Sequence, residues 1–220
     1  MKKHLIHVYF VPGMAANPSI FDHIKLPESQ FEMHFLEWMI PEKNETLPKY
    51  AQRMVAKIEH QNPVLIGVSF GGILVQEMSK FIKVKKLIVI SSMKSKLELP
   101  KTLKVLKTTK AYKILPTQLI ENFELLAKFA LGKSASKRIE LYRKYLSVRD
   151  KTYLDWAIEQ IIFWEQETPH PEAVYIHGDK DAVFPNSCQG DCVVVKGGTH
   201  IMIINKYKWF NENLPELLLN

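Results

Sequence analysis

The sequence predicts an α/β fold: a doubly wound, mostly parallel sheet of about six strands with an inserted helical cap. Three observations predict it. Short β-branched runs recur that are almost continuously apolar, the pattern of strands buried on both faces of a parallel sheet. Helical patterns separate them, which implies right-handed crossovers. One long block, residues 94–168, has helical spacing and no convincing strand.

The first strand is expected over residues 5–11, closed by Pro12-Gly13. Lys2 and Lys3 ahead of an apolar stretch imitate a secretory leader, but the stretch is short, contains His7 and lacks an A-x-A site. Further strands are expected over 33–36, 64–68, 87–90, 173–176 and 192–195, and helices over 44–60, 70–81 and 201–211. Within the long block, Leu119-Ile120, Phe123, Leu126-Ala127 and Ala130 recur at helical intervals, as do Ile139, Tyr142 and Leu146. Leu154, Ala157-Ile158 and Ile161-Ile162 continue the pattern. Gly132 reads as a stop and Asp150 as an N-cap. Such a block is too long for a loop, so residues 1–93 and 169–220 form the expected core and 94–168 the cap. Its aromatics, Tyr145, Tyr153, Trp156, Phe163 and Trp164 among them, are expected to form the cap's own core, with one or two over the site.

The chain has 220 residues, 46% apolar and 24% charged, which excludes a disordered or fibrous identity. No apolar run reaches the ~18 residues of a membrane helix. Cys188 and Cys192 read as small buried side chains, which leans toward a reducing, cytoplasmic compartment. The net charge of +7 is carried almost entirely by lysine, so sequence-specific nucleic-acid reading is poorly supported. Lysines 94, 96, 101, 104, 107, 110 and 113 drift around a helix without forming a stripe. They read as a solvated face, with docking of an anionic carrier such as acyl-CoA as the functional alternative. His177, Asp179 and Asp181, alternating in one tight loop, are poorly placed to converge on an ion, so no metal is expected.

Gly67-Val68-Ser69-Phe70-Gly71 carries the chemistry. It follows an apolar strand and precedes a helical pattern. In G-x-S-x-G the serine sits on a sharp strand-to-helix turn, and a Cβ two residues either side would collide with neighbouring backbone. A serine hydroxyl is a weak nucleophile without a base, and the base needs an orienting acid. Later strands supply both. His177-Gly178-Asp179-Lys180-Asp181 follows one, with Pro185 beyond, and Lys196-Gly197-Gly198-Thr199-His200 follows the next. The order Ser69, Asp181, His200 places all three on loops at one edge of a parallel sheet.

These residues resemble the α/β-hydrolase superfamily over nearly the whole chain, as a small esterase- or thioesterase-like member with a helical cap. The resemblance implies Asp181 as the acid, four residues before Pro185, with Asp179 as the fallback. It implies an oxyanion hole from the backbone N–H groups of Phe70 and Met14. The family's usual histidine-glycine after the first strand is here Pro12-Gly13, and the chain begins too close to that strand for the usual antiparallel one before it. Relatives with an aspartate nucleophile are excluded by Ser69. The implied activity is cleavage of an ester or thioester of a small apolar acyl group, with no cofactor. Acyl transfer, C–C bond hydrolysis and non-catalytic ligand binding are the alternatives on the same residues.

Overall fold

In the computed structural model, residues 5–109, 144–185 and 192–219 are described. They form one six-stranded sheet. The strands are β1 (Ile6–Val11), β2 (Phe31–Phe35), β3 (Val64–Val68), β4 (Lys86–Ile90), β5 (Ala173–Gly178) and β6 (Val193–Val195). Their spatial order is β2-β1-β3-β4-β5-β6, and every pairing is parallel. The expected strands are all present, each boundary within about two residues.

The continuous apolar runs have a direct cause. Successive side chains of a strand point to opposite faces, and here both faces are covered. Tyr9, Val11, Leu65, Leu87, Val89 and Tyr175 face a core built with α1 (Leu47–Val55) and α2 (Phe70–Met78). Val8, Phe10, Ile66, Ile88, Ile90 and Ile176 face the other, sealed by Phe210, Leu214 and Leu218. Those three belong to the C-terminal helix Tyr207–Leu219. The expected C-terminal helix over 201–211 is in fact a short turn of helix, Met202–Asn205, followed by this longer one. All nine residues of α2 are buried. Its two polar side chains are partnered, as buried polar groups must be. Gln76 donates to the Gly72 and Met93 carbonyls at 3.0 Å each, and Glu77 accepts from Trp164 at 2.8 Å.

Of the expected cap, residues 110–143 lie outside the described residues, and with them Phe123, Phe129, Tyr142, Lys110 and Lys113. The described part contains α3 (Lys101–Thr109) and α4 (Lys151–Ile162). Asp150 caps α4, accepting from the Tyr153 N–H at 2.9 Å. Among the described residues, the buried aromatics of this segment do not make a separate core. Tyr153, Trp156 and Trp164 join the cluster of α1, α2 and the sheet, and Trp156 donates to the Glu45 carbonyl at 2.7 Å. Tyr145 packs on the opposite face with Phe10 and Phe21. The segment joins the sheet's own cores because the loop after β1 takes it in: Val148 N–H donates to Ala15 O at 3.0 Å and Asn17 N–H to Tyr145 O at 2.9 Å.

One further expectation is corrected. Cys192 is disulfide-bonded, not a buried free thiol. Its only possible partner within the chain, Cys188, lies outside the described residues. The cysteines therefore lend no weight to a reducing compartment. In the lysine run, Lys101 and Lys104 are exposed and Lys94 is buried. Lys96 pairs with Glu167 at 2.6 Å and Glu165 at 3.8 Å, acids distant in sequence. No helix among the described residues is long and apolar enough to cross a membrane.

The loops after β5 and β6 approach at backbone distance. A Cβ on Gly178 would lie 2.2 Å from the Gly198 carbonyl oxygen, and that atom already accepts from Lys180 N–H at 2.8 Å. Neither side can retreat without breaking the pairing. Gly178→Ala is expected to destabilise the protein by about 3 kcal/mol, read as a lowered urea midpoint; an unchanged midpoint contradicts the close approach.

Candidate active site

Ser69 stands between β3 and α2 with φ 54° and ψ −119°, a conformation that side chains other than glycine rarely adopt. Neighbouring backbone enforces it. A Cβ at Gly67 would lie 2.1 Å from Gly71 O, and one at Gly71 would lie 2.3 Å from Pro12 O. The strand, the helix and the end of β1 are thus wedged together. The Ser69 N–H donates to Ile90 O at 2.9 Å, tying the turn to β4.

Three side chains predicted to meet do meet. His200 Nε2 lies 2.9 Å from Ser69 Oγ, and His200 Nδ1 lies 3.0 Å from Asp181 Oδ2. A carboxylate only accepts, so Nδ1–H donates to Asp181 and the Nε2 lone pair faces the hydroxyl. The second carboxylate oxygen, Oδ1, accepts from the N–H groups of Val183 at 2.8 Å and Phe184 at 3.0 Å. The Asp181 side chain is fully buried. Burial alone would raise its pKa. The hydrogen bond and charge of His200, with the Phe184 N–H, outweigh burial and hold the carboxyl below its ordinary value.

Position distinguishes the two aspartates. Asp179 Oδ1 accepts from the Gly197 N–H at 2.6 Å, so this side chain braces the loop that carries His200. Asp181 is the one that reaches the imidazole.

Met14 and Phe70 are placed by the same wedge. Phe70 opens α2, where the first N–H groups have no carbonyl partner within the helix. Gly13, beside Met14, lies against the serine: a Cβ there would be 3.4 Å from Ser69 Cβ. The loop then turns through Ala15, whose φ is 64°. A side chain that no motif singles out touches both parts. Trp38, in the loop after β2, donates from Nε1 to Gly13 O at 3.0 Å and stacks on Phe70 with ring centroids 5.2 Å apart.

His177 is a second such residue. Its Nε2 lies 3.0 Å from Phe184 O and 3.4 Å from Asp181 Oδ2. Burial, more than any charge, lowers its pKa, so the ring is neutral and donates to the Phe184 carbonyl. It therefore braces the segment whose N–H groups hold Asp181.

A groove between the 41–46 loop and α4, lined by Glu42, Asn44, Thr46, Asp155 and Glu159, contains none of these residues. Its charged lining and its position separate it from the serine.

No protein-family profile and no curated sequence matches the chain. Solved structures do. A hydrolase from Pseudomonas aeruginosa PA01 matches with a TM-score of 0.73 and 14% identity, covering 97% of this chain and 90% of the other. The chain has the α/β-hydrolase fold. A Nitrososphaera gargenis carboxylesterase matches this α/β-hydrolase fold at 0.71 and 17% identity, over 99% and 91% of the two chains. A bromoperoxidase from Bacillus anthracis matches at 0.64 and 16%, over 98% and 92%. These names differ in chemistry while the fold is shared, so within the α/β-hydrolase fold the reaction must be argued from the residues.

Two outcomes follow from the site's strain and burial. Ser69→Gly and Ser69→Ala both lose the hydroxyl, but glycine relaxes at φ 54° and alanine does not. Thermal unfolding is expected to show Ser69→Gly the more stable of the two by about 1 kcal/mol; equal stability would mean the turn is unstrained. Asp181 has a lowered folded-state pKa, so its contribution to stability is present above the unfolded carboxyl value of about 3.9 and is lost as pH falls through the folded value. The stability difference between wild type and Asp181→Asn should therefore be constant near neutrality and shrink below about pH 4, measured by urea titration across pH.

Proposed function

We propose that the protein is a serine hydrolase that cleaves an ester or thioester of a small apolar acyl group. The observation that carries this reading is the unbroken hydrogen-bonded chain from Ser69 through His200 to the buried Asp181. The cap over residues 94–168 is assigned the substrate-covering role.

In this mechanism Ser69 Oγ attacks the acyl carbon while His200 Nε2 takes its proton. Negative charge then develops on the carbonyl oxygen. The N–H groups of Phe70 and Met14 face that charge, and the positive end of α2 adds to them. Each such donor is worth ~3 kcal/mol of barrier. Asp181 stabilises the imidazolium and keeps Nδ1 protonated. His200 next passes its proton to the departing alkoxide or thiolate, which leaves Ser69 acylated. Water, deprotonated by His200, attacks the acyl carbon and releases the acid, and Ser69 recovers its proton.

Acyl transfer to another acceptor would use the same residues and differ only in the final nucleophile. Docking of an acyl-CoA on the basic run is the less favoured variant, because Lys96 is already engaged by Glu165 and Glu167.

A fluorophosphonate probe is expected to label Ser69 in the wild type and fail on Ser69→Ala and His200→Ala. With nitrophenyl esters of graded length and acyl-CoA thioesters, wild type should hydrolyse short apolar acyl groups, and Asp181→Asn should lose about 10⁴-fold in kcat. A folded protein that neither labels nor turns over any member of the panel would favour a ligand-binding role on this fold.

A further inference from the structure

At the opposite end of the sheet from Ser69, three imidazoles from three different segments meet. His7 is the second residue of β1, His34 the fourth of β2, and His60 follows α1 in the connection to β3. In the parallel register His7 stands beside Glu32, and Tyr9 beside His34. Residues two apart on a strand share a face, so these four side chains lie on the α1 side of the sheet's outer pair. One ring nitrogen of each histidine lies within 4.8 Å of the other two.

His7 and His34 are close enough to share one small ion, and the His60 nitrogen lies within 4.8 Å of both. His7 Nδ1 is 3.1 Å from His34 Nε2. Glu32 Oε2 is 3.3 Å from His7 Nδ1, and its Oε1 is 3.9 Å from His34 Nε2. Four donors placed 2.0–2.1 Å from a tetrahedral zinc ion stand about 3.3–3.4 Å from each other. We propose that His7, His34 and His60 bind one divalent transition-metal ion of the zinc class, with Glu32 beside His7 and His34 as an outer partner.

Three imidazoles select the class of ion. Imidazole suits zinc, copper and nickel, whereas magnesium and calcium take oxygen. A second outer partner is in place. Tyr9 Oη lies 2.7 Å from His60 Nδ1 and accepts the Glu59 N–H at 3.2 Å. It fixes which ring nitrogen of His60 is left for an ion, the role second partners play at histidine sites. The rings of His7 and His60 are stacked at 3.4 Å and 9°, so binding requires one of these rings to turn, because a coordinated imidazole holds the ion in its own plane.

The ion is structural and lies outside the reaction. β1 separates it from Ser69 by roughly 15–20 Å at strand rise. It ties β2, an edge strand of the sheet, to β1 and to the chain entering β3, and its binding to the folded state alone raises stability by mass action.

The test uses the untagged full chain, stripped by a chelator, then titrated with Zn²⁺ by calorimetry and with Co²⁺ by visible absorption. One ion per chain is expected, with tetrahedral cobalt bands and a Tm that rises with added Zn²⁺. His34→Ala and His60→Gln should each weaken Zn²⁺ binding at least about tenfold and remove the Tm rise. Both should leave probe labelling of Ser69 intact. His60→Gln changes a connecting loop and no strand, so it decides the matter if His34→Ala does not fold. Absence of saturable Zn²⁺ binding at micromolar concentration, equal affinity in wild type and His60→Gln, or equal binding of Mg²⁺ would each overturn the site.

Discussion

The Ser69 backbone holds its left-handed φ because Gly67, Gly71 and the carbonyl of Pro12 touch where side chains would otherwise stand. Strain of this kind, of order 1–3 kcal/mol, persists only where the surroundings over-determine it. Here the surroundings are three backbone segments: the end of β3, the start of α2 and the end of β1. The contact that strains the serine also brings the Gly13–Met14 loop beside it. The position of Ser69 and the placement of both proposed oxyanion donors therefore share one geometric cause. The second glycine contact, Gly178 against Gly198, does the same for the acid and the base. Two backbone approaches locate four loops, so the reach from Ser69 to Asp181 depends little on long, flexible side chains.

Electrostatics then decides what that reach can do. A fully buried carboxylate is costly unless its lone pairs are satisfied. Asp181 meets two backbone N–H groups on Oδ1 and His200 on Oδ2. His177 stays neutral because it is buried, and it spends its proton on the Phe184 carbonyl. A charged ring there would compete with His200 for Asp181. A neutral one stiffens the segment that holds the carboxylate and leaves the field of Asp181 directed at the His200 imidazole.

The strands and the Ser69–Asp181–His200 set were legible because both rest on local rules. Burial on two faces writes continuous apolar runs, and a strained turn demands glycine two residues either side. What escaped the sequence depends on contacts between distant segments. Trp38 is one aromatic in an unremarkable loop, and only folding sets it on Phe70. Tyr153 and Trp156 carry the period of a helix, which says that one face is buried but not against what. The disulfide at Cys192 was missed because two cysteines four apart fit a pair of thiols equally well. His7, His34 and His60 share no spacing motif; parallel register and a crossover bring them together.

The two ends of a doubly wound sheet are not electrically equivalent. Strands all run one way and crossover helices run the other, so helix N-termini gather at the strands' carboxyl end and helix C-termini at the other. The carboxyl end accordingly suits a site where negative charge develops, and α2 begins at Ser69 with its free N–H groups. The amino end suits positive charge. His60 comes five residues after the last residue of α1 and lies beside the start of β1, with Glu32 adding a full negative charge. The helix field fades within a turn, so it biases that end without fixing a ligand there. The convergence of nitrogens does the fixing. An anion-stabilising turn at one end and a cation-binding cluster at the other are thus what the polarity of a single parallel sheet favours, and β1 contributes to both: His7 near its start and, just past its end, the loop that faces Ser69.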